Sequence, residues 1–248
     1  MTRPINQVTT MRLPDGQNVA FVDWSDRPLY STCDILHGAT DERIPLFNYV
    51  SSDSVSGSQN LTVKRTATDR DTNISTPGAM ASTEEMLVYA IKPEYTWLAT
   101  DSQVPSNATT AQPRFPFDPQ PKSNQLAALF QLMLLELRVS QKTMHQAPLA
   151  YYNSGFGVFG SFWTGAGVAT PTGAPSTAGL PSQEAVRSLA IPIHIGGQEK
   201  YEVALVNPSG VALDIGLGSL VTGDDDDATN RLARVTIILD GLYKRPVS

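Results

Sequence analysis

The chain has one cysteine, Cys33, and three histidines, His37, His145 and His194. A lone cysteine excludes an intrachain disulfide framework, so the fold does not depend on an oxidising compartment. None of the histidines sits in HExxH or at another metal-ligand spacing. Basic residues are also short: Lys+Arg total 18 against 24 for Asp+Glu, a net charge of −6. A surface that binds nucleic acid needs clustered Lys and Arg, and this balance argues against one. No apolar run reaches the ~18 residues of a transmembrane helix. The first ten residues, MTRPINQVTT, carry no apolar stretch, so no signal peptide is expected. Asn60-Leu61-Thr62, Asn73-Ile74-Ser75 and Asn107-Ala108-Thr109 fit the glycosylation pattern, but without a secretory signal they read as chance matches.

What is present is β patterning. The 248 residues permit one large β domain or two small ones. A chain of this size buries roughly 70–75% of its unfolded surface, enough for a core without staples. Leu189, Ile191, Ile193 and Ile195 alternate with Ala190, Pro192 and His194, and Tyr201, Val203 and Leu205 alternate with Glu202, Ala204 and Val206. Period-2 alternation marks half-buried strands, and Gly196-Gly197 between the two runs predicts a hairpin. Pro192 predicts an edge strand or a bulge, because it cannot donate to a ladder. Asn207-Pro208-Ser209-Gly210 is a turn, after which Val211, Leu213, Ile215 and Leu217 alternate again. The last strand runs from Ala233 to Tyr243 with Val235, Ile237 and Leu239 on one face and Arg234 and Thr236 on the other.

Towards the N-terminus, residues 1–10 are polar and predict an extended arm. Val8–Leu13 and Asn18–Trp24 flank the turn Pro14-Asp15-Gly16. Leu29–Leu36, Ile44–Val50, Leu61–Thr68 and Met86–Leu98 are further strands, the last with a bulge expected at Pro93. Asp101–Pro121 holds five prolines, which forbid a helix, and reads as an extended excursion. Residues 168–182, rich in Thr, Pro, Gly, Ala and Ser, form a second one. Between them Gln125–Arg138 has no Gly or Pro and no β-branched residue, is apolar nearly all round, and predicts one short buried helix capped by Ser123 or Asn124. The competing reading is a strand from Met133 to Val139, since Leu135, Leu137 and Val139 alternate with Glu136 and Arg138. Ala147–Tyr152 reads as a strand entering a glycine-rich stretch.

Few constellations offer chemistry. Gly155-Phe156-Gly157-Val158-Phe159-Gly160 matches GxGxxG, but no βαβ context surrounds it, so it reads as a glycine-rich strand or bulge rather than a dinucleotide site. His194 reads as a solvated or hydrogen-bonded strand histidine, Cys33 as a small buried hydrophobe, and Ser56 lacks the GxSxG of a nucleophile elbow. Glu84-Glu85 suggests no acid–base pair. Asp224–Asp227 could attract a hard cation, yet it lacks the ligand spacing of a calcium loop and reads as a solvated tip. No catalytic, cofactor-binding or metal-binding residue is assigned, and the chain is not expected to be an enzyme.

The C-terminal run LAIPIHIGGQEKYEVALVNPSG, followed by RVTIILDGLYKRPVS, resembles the closing strands of jelly-roll virion proteins of bacterial viruses. The resemblance covers Leu189–Ser248. It implies an all-β, antiparallel sandwich of jelly-roll type, in one domain over residues 11–248 behind the arm at 1–10. It also implies a capsid shell, vertex or decoration subunit that acts by protein–protein assembly. Its partners would be copies of itself and other virion proteins, with no direct nucleic acid, no membrane span and no small-molecule substrate. Its location would be the virion, assembled in the host cytoplasm. The absence of a basic arm departs from coats that hold single-stranded RNA directly. Two other classes stay open. One is a lectin-like or receptor-binding sandwich with Tyr151 or Trp163 stacking on sugar. The other is an enzyme, against which the missing His/Asp/Cys constellation argues.

Overall fold

The computed structural model describes residues 10–12, 16, 18–20, 24–36, 38–59, 61, 64–99, 129, 132–152, 159–164, 172–177, 188–213 and 231–244. These residues carry almost no helix. Their strands are β1 (Thr10–Arg12), β2 (Asn18–Ala20), β3 (Trp24–Asp26), β4 (Leu29–Leu36), β5 (Arg43–Leu46), β6 (Ser56–Gly57) and β7 (Glu85–Ala99). After them come β8 (Leu134–Val139), β9 (Lys142–Pro148), β10 (Phe159–Thr164), β11 (Thr172–Thr177), β12 (Ser188–Ile195), β13 (Tyr201–Val206) and β14 (Arg231–Lys244).

Two sheets face each other as a β-sandwich. One is ordered β12-β7-β14-β4-β6, with β3 also paired to β14; the other is ordered β5-β13-β8-β9. The alternation seen in the sequence builds the layer between them. Leu29, Cys33 and Ile35 of β4 meet Val235, Ile237 and Leu239 of β14 and Ile193 and Ile195 of β12 from one sheet. Leu135 and Leu137 of β8, Val203 and Leu205 of β13, and Ile44 and Leu46 of β5 close the layer from the other. Each such aliphatic side chain contributes about 1.5–3 kcal/mol on full burial.

The pairing of these strands is nested. β4 pairs with β14, β5 with β13, β7 with β12 and β8 with β9, all antiparallel. The register therefore sorts the connections by end. At one end the turns are tight: Ser140 and Gln141, both at positive φ, join β8 to β9, and residues 196–200 join β12 to β13. At the other end lie the last residues of β4, β7, β9 and β13 and the first residues of β5, β8, β12 and β14. Every long connection that follows β7, β9 or β13 leaves from this second end.

Several local expectations change. The helix expected at Gln125–Arg138 is not continued through its second half, because Leu134–Val139 is strand β8. Leu129 and Leu132 are helical, and the Met133 amide donates to the Leu129 carbonyl at 3.1 Å; residues 125–128, 130 and 131 lie outside the described set. Alternation wins here because β13 offers a ladder on one side and β9 on the other, and Glu136 and Arg138 find polar partners on the outer face. The expected Gly196-Gly197 hairpin is an arch instead, since β12 and β13 lie in different sheets. Neither glycine has positive φ; a Cβ on Gly197 would meet the Ser82 carbonyl oxygen at 2.6 Å, so close backbone approach is what requires glycine there.

Pro192 does lie in an edge strand, and the β12–β7 register shifts between Ser188 and Ile193. Pro93 stays in register opposite Ile237, and the bulge falls where Asp240 faces Ala90 and Gly241 faces Val88. Residues 149–152 form a 3-10 turn rather than strand. Among the described residues of Leu61–Thr68 only an isolated bridge at Thr66 forms, and Val211–Leu213 is irregular. Thr172–Thr177, within a stretch read as loop, pairs with β10. The arm at 1–9 and Asp101–Pro121 lie outside the described residues.

Gly241 has the least room for a side chain among the described glycines. A Cβ there would stand 2.0 Å from the Leu87 carbonyl oxygen and 2.9 Å from its carbon, both rigid backbone atoms. Gly210, with φ +59, has nothing within 4 Å of its Cβ position. Gly241→Ala is therefore expected to cost about 3 kcal/mol by overpacking, and Gly210→Ala about 1 kcal/mol by backbone strain alone. Urea unfolding midpoints of the two variants check the difference.

Candidate functional site at the loop-rich end

Loops positioned by a rigid scaffold carry binding disproportionately, so the end at which β4, β7, β9 and β13 finish is the place to look. There the turn from β4 to β5 is held from two sides. The Asn207 amide donates to the Glu42 carbonyl at 2.9 Å, the Leu213 amide to Ala39 at 2.9 Å, and the Gly38 amide to Leu213 at 2.9 Å. Asp41 is buried, and its Oδ1 accepts the Gln59 amide at 2.9 Å. Thr40, Asp41, Glu42, Arg43 and Gln59 line a cavity of about 590 Å³.

Arg43 opens β5 and reaches across the outer face of the smaller sheet. Its Nη1 donates to Glu136 Oε2 at 2.6 Å and its Nε to Glu202 Oε1 at 2.9 Å. Glu136 also accepts from Arg138 Nε at 2.6 Å and Thr143 Oγ1 at 3.0 Å. Burial opposes ionisation of Glu136, but its hydrogen bonds to Arg43, Arg138 and Thr143 outweigh that and hold its carboxyl below the usual range. Arg43 Nη2 is buried with no hydrogen-bond partner among the described residues.

A second polar network belongs to the fold rather than to the site. The described residues between 47 and 73 run along the open side of β4 and satisfy backbone groups of Tyr30, Thr32, Asp34 and Leu36. Tyr30 N–H donates to Asn73 Oδ1 at 2.9 Å, and Leu36 N–H to Ser58 Oγ at 3.0 Å. The Tyr49 hydroxyl accepts from Thr32 N–H at 3.1 Å and donates to the Thr32 carbonyl at 2.5 Å, while Ser58 N–H donates to the Asp34 carbonyl at 3.0 Å. Arg65 locks the strap. Its Nε donates to Asp34 Oδ2 at 2.8 Å, and its Nη1 and Nη2 donate to Asp71 at 2.7 and 2.6 Å. Asp34 Oδ1 takes Arg234 Nε of β14 at 3.0 Å. Asn73, one of the glycosylation matches, has both side-chain ends engaged, with Nδ2 donating to the Pro28 carbonyl at 2.8 Å.

The residues considered from sequence do not converge. Cys33 is fully buried, and burial, then the neighbouring Asp34 charge, pushes its thiol far up. An inert thiol fits those surroundings. His194 Nε2 lies 3.2 Å from Glu85 Oε2, whose other oxygen accepts Lys244 Nζ at 2.8 Å. His145 Nε2 and the Tyr152 hydroxyl are 2.5 Å apart, and burial lowers the histidine pKa. Tyr151 beside them is 41% exposed and packs edge-on against Tyr152. Glu84 accepts the Ser75 hydroxyl at 3.0 Å, separately from Glu85. Ser56 is buried in β6 and bonds Asn48 at 3.1 Å. Trp163 is in β10; His37, residues 155–158 of the glycine motif and Asp224–Asp227 lie outside the described residues. Among the described residues no three His, Cys, Asp or Glu side chains are grouped to hold a metal ion, and no helix is long and apolar enough to cross a membrane. The cavity carried no sequence signal, because Thr40, Asp41 and Glu42 belong to no motif and simply follow the strand Leu29–Leu36.

No protein-family model matches this chain, and neither the curated proteins nor the solved structures include a match to it.

The strap has a pH signature. Burial opposes ionisation of Asp71, but hydrogen bonds from Arg65 and from the amide and hydroxyl of Thr68 hold its pKa down to about 2. A carboxylate with a depressed pKa contributes stability above its unfolded value, near ~3.9, and loses it as pH falls through the folded one. Asp71→Asn should thus cost about 2 kcal/mol at neutral pH by removing one of the two carboxylates that hold Arg65, which keeps Asp34. It should also flatten the loss of stability below about pH 4. Chemical denaturation from pH 7 to pH 2 reads both effects, and an unchanged acid limb in the variant would contradict the assignment.

Proposed function

We propose that this chain is a jelly-roll structural subunit of a virion, acting by protein–protein assembly. The observation that carries the reading is the nested pairing. Number β4, β5, β7, β8, β9, β12, β13 and β14 one to eight. The pairs are then one with eight, two with seven, three with six and four with five. One sheet takes six, three, eight and one, and the other takes two, seven, four and five. Rolling up one long antiparallel ribbon produces this order, and double-sheet rolls of eight strands are the architecture of viral shell and lectin domains.

Two further features support assembly through faces and loops. Each free edge is unsuited to strand addition. β5 carries Pro45, β9 ends in Pro148 and has a register shift that leaves Met144 unpaired, and β12 carries Pro192 and its own shift. Prolines and bulges on edges block further pairing. The strap seals the remaining side. The connections after β7, β9 and β13, by contrast, all leave from one end. Ordering such segments costs about 1–2 kcal/mol per residue in backbone entropy, which contacts with neighbouring subunits can offset. A net charge of −6 directs these contacts to protein rather than to nucleic acid.

Removal of residues 1–10, or shortening of Asp101–Pro121, is expected to leave a folded sandwich and abolish the higher-order species of the intact chain. Circular dichroism and analytical ultracentrifugation measure the two outcomes. A full-length chain that stays monomeric at high concentration and is missing from purified particles would overturn the reading.

A further inference from the structure

We propose that the cavity at the β4–β5 turn is a binding site for a neutral saccharide. The described residues that line it, Thr40, Asp41, Glu42, Arg43 and Gln59, are all polar or charged, and they supply donors and acceptors around one half-open pocket. A sugar hydroxyl both donates and accepts, so it can pair with carboxylate, amide, hydroxyl and guanidinium alike. An apolar ligand would strand these groups. An anion would face Asp41 and Glu42, and a cation would face Arg43. The volume of about 590 Å³ lies within the range of small-molecule sites.

The lining is also fixed in advance. Asp41 is buried and held by the Gln59 amide, Glu42 is tied through its carbonyl to Asn207, and Arg43 is anchored by Glu136 and Glu202. A site already ordered loses little further freedom on binding. Arg43 Nη2 adds a buried donor with no acceptor among the described residues. Such a group is costly to leave unpaired, and a ligand oxygen or water would relieve it.

The proposal does not rest on assembly, because binding is read on the isolated chain. The full-length protein is titrated with glucose, galactose, mannose, N-acetylglucosamine, lactose and maltose. N-acetylneuraminic acid and glucosamine serve as the anionic and cationic arms, and calorimetry and NMR shift mapping report binding. The expected result is saturable binding of at least one neutral sugar and neither charged arm. Thr40→Trp places a ring in the cavity from an exposed position, and Asp41→Asn removes a fixed acceptor. Each should weaken binding about tenfold or more with Tm preserved, and Thr40→Trp keeps the test decisive if Asp41→Asn fails to fold. The proposal is overturned if no neutral sugar saturates at about 10 mM. It is equally overturned if a charged arm binds as well as the neutral sugars, or if binding survives Thr40→Trp.

Discussion

Asp34 ties the two ends of the chain together. It sits on the outer face of β4 at 2% exposure, with Arg234 of β14 on one oxygen and Arg65 of the strap on the other. A carboxylate this dry persists only with charged partners that also fill its lone pairs. Here one partner comes from the neighbouring strand and the other from the segment that covers the sheet. The carboxylate thus couples the β4–β14 pairing, which joins the first and last strands of the nest, to closure of the sheet edge. Arg65 passes the constraint on to Asp71, and Asp71 in turn accepts from the amide and hydroxyl of Thr68. A strap rich in Ser and Asp, with no large core of its own beyond Tyr49, Val55 and Ala67, becomes a fixed part of the sandwich through these charges.

This division of labour explains the asymmetry between the ends. At the tight end, turns pack against one another through backbone bonds. Gln198 donates to Met80 at 3.2 Å, Met80 to Glu199 at 3.2 Å, and Tyr201 to Gly78 at 3.0 Å. Such a lattice tolerates little insertion, as Gly197 against Ser82 illustrates. At the opposite end the strands simply stop, and the chain leaves between β7 and β8, β9 and β12, and β13 and β14. Variation in length there leaves the nested pairs untouched. The exception is the β4–β5 turn, which is short and bonded to residues 207–213, and which lines the cavity.

The parts of this fold that were legible in the sequence are those set by local alternation. β4 spans Leu29–Leu36 as the pattern predicts, and Val235, Ile237 and Leu239 are buried while Arg234 and Thr236 face outward. What failed depended on partners far along the chain. Ile195 and Tyr201 are separated by a glycine turn in either a hairpin or an arch, and only the position of β7 and β8 decides between them. The run at 134–139 satisfies helix propensity and strand alternation together, and the ladders from β13 and β9 settle it. The cavity was illegible for a different reason. Its lining comes from the β4–β5 turn and from Gln59, brought together by a strap whose path depends on Arg65 reaching two carboxylates. No spacing encodes such a meeting.

The edges constrain how this sandwich can meet anything else. An open strand edge recruits partners by backbone hydrogen bonds, with little regard for sequence. Pro45, Pro192, Pro148 and the unpaired Met144 interrupt that route at three edges, and the strap closes the fourth. Contact must then be made by side chains and connections, where geometry and charge select the partner. Exposed apolar groups remain: Ile191 at 76%, Met144 and Tyr151 at 41% each and Tyr89 at 37%. Ile191 and Tyr89 lie in the bulged stretch where β12 meets β7, and Met144 and Tyr151 lie in β9 and the turn after it. Bulges that blunt an edge also push side chains outward, so one set of irregularities both blocks strand addition and creates contact points specific to this chain.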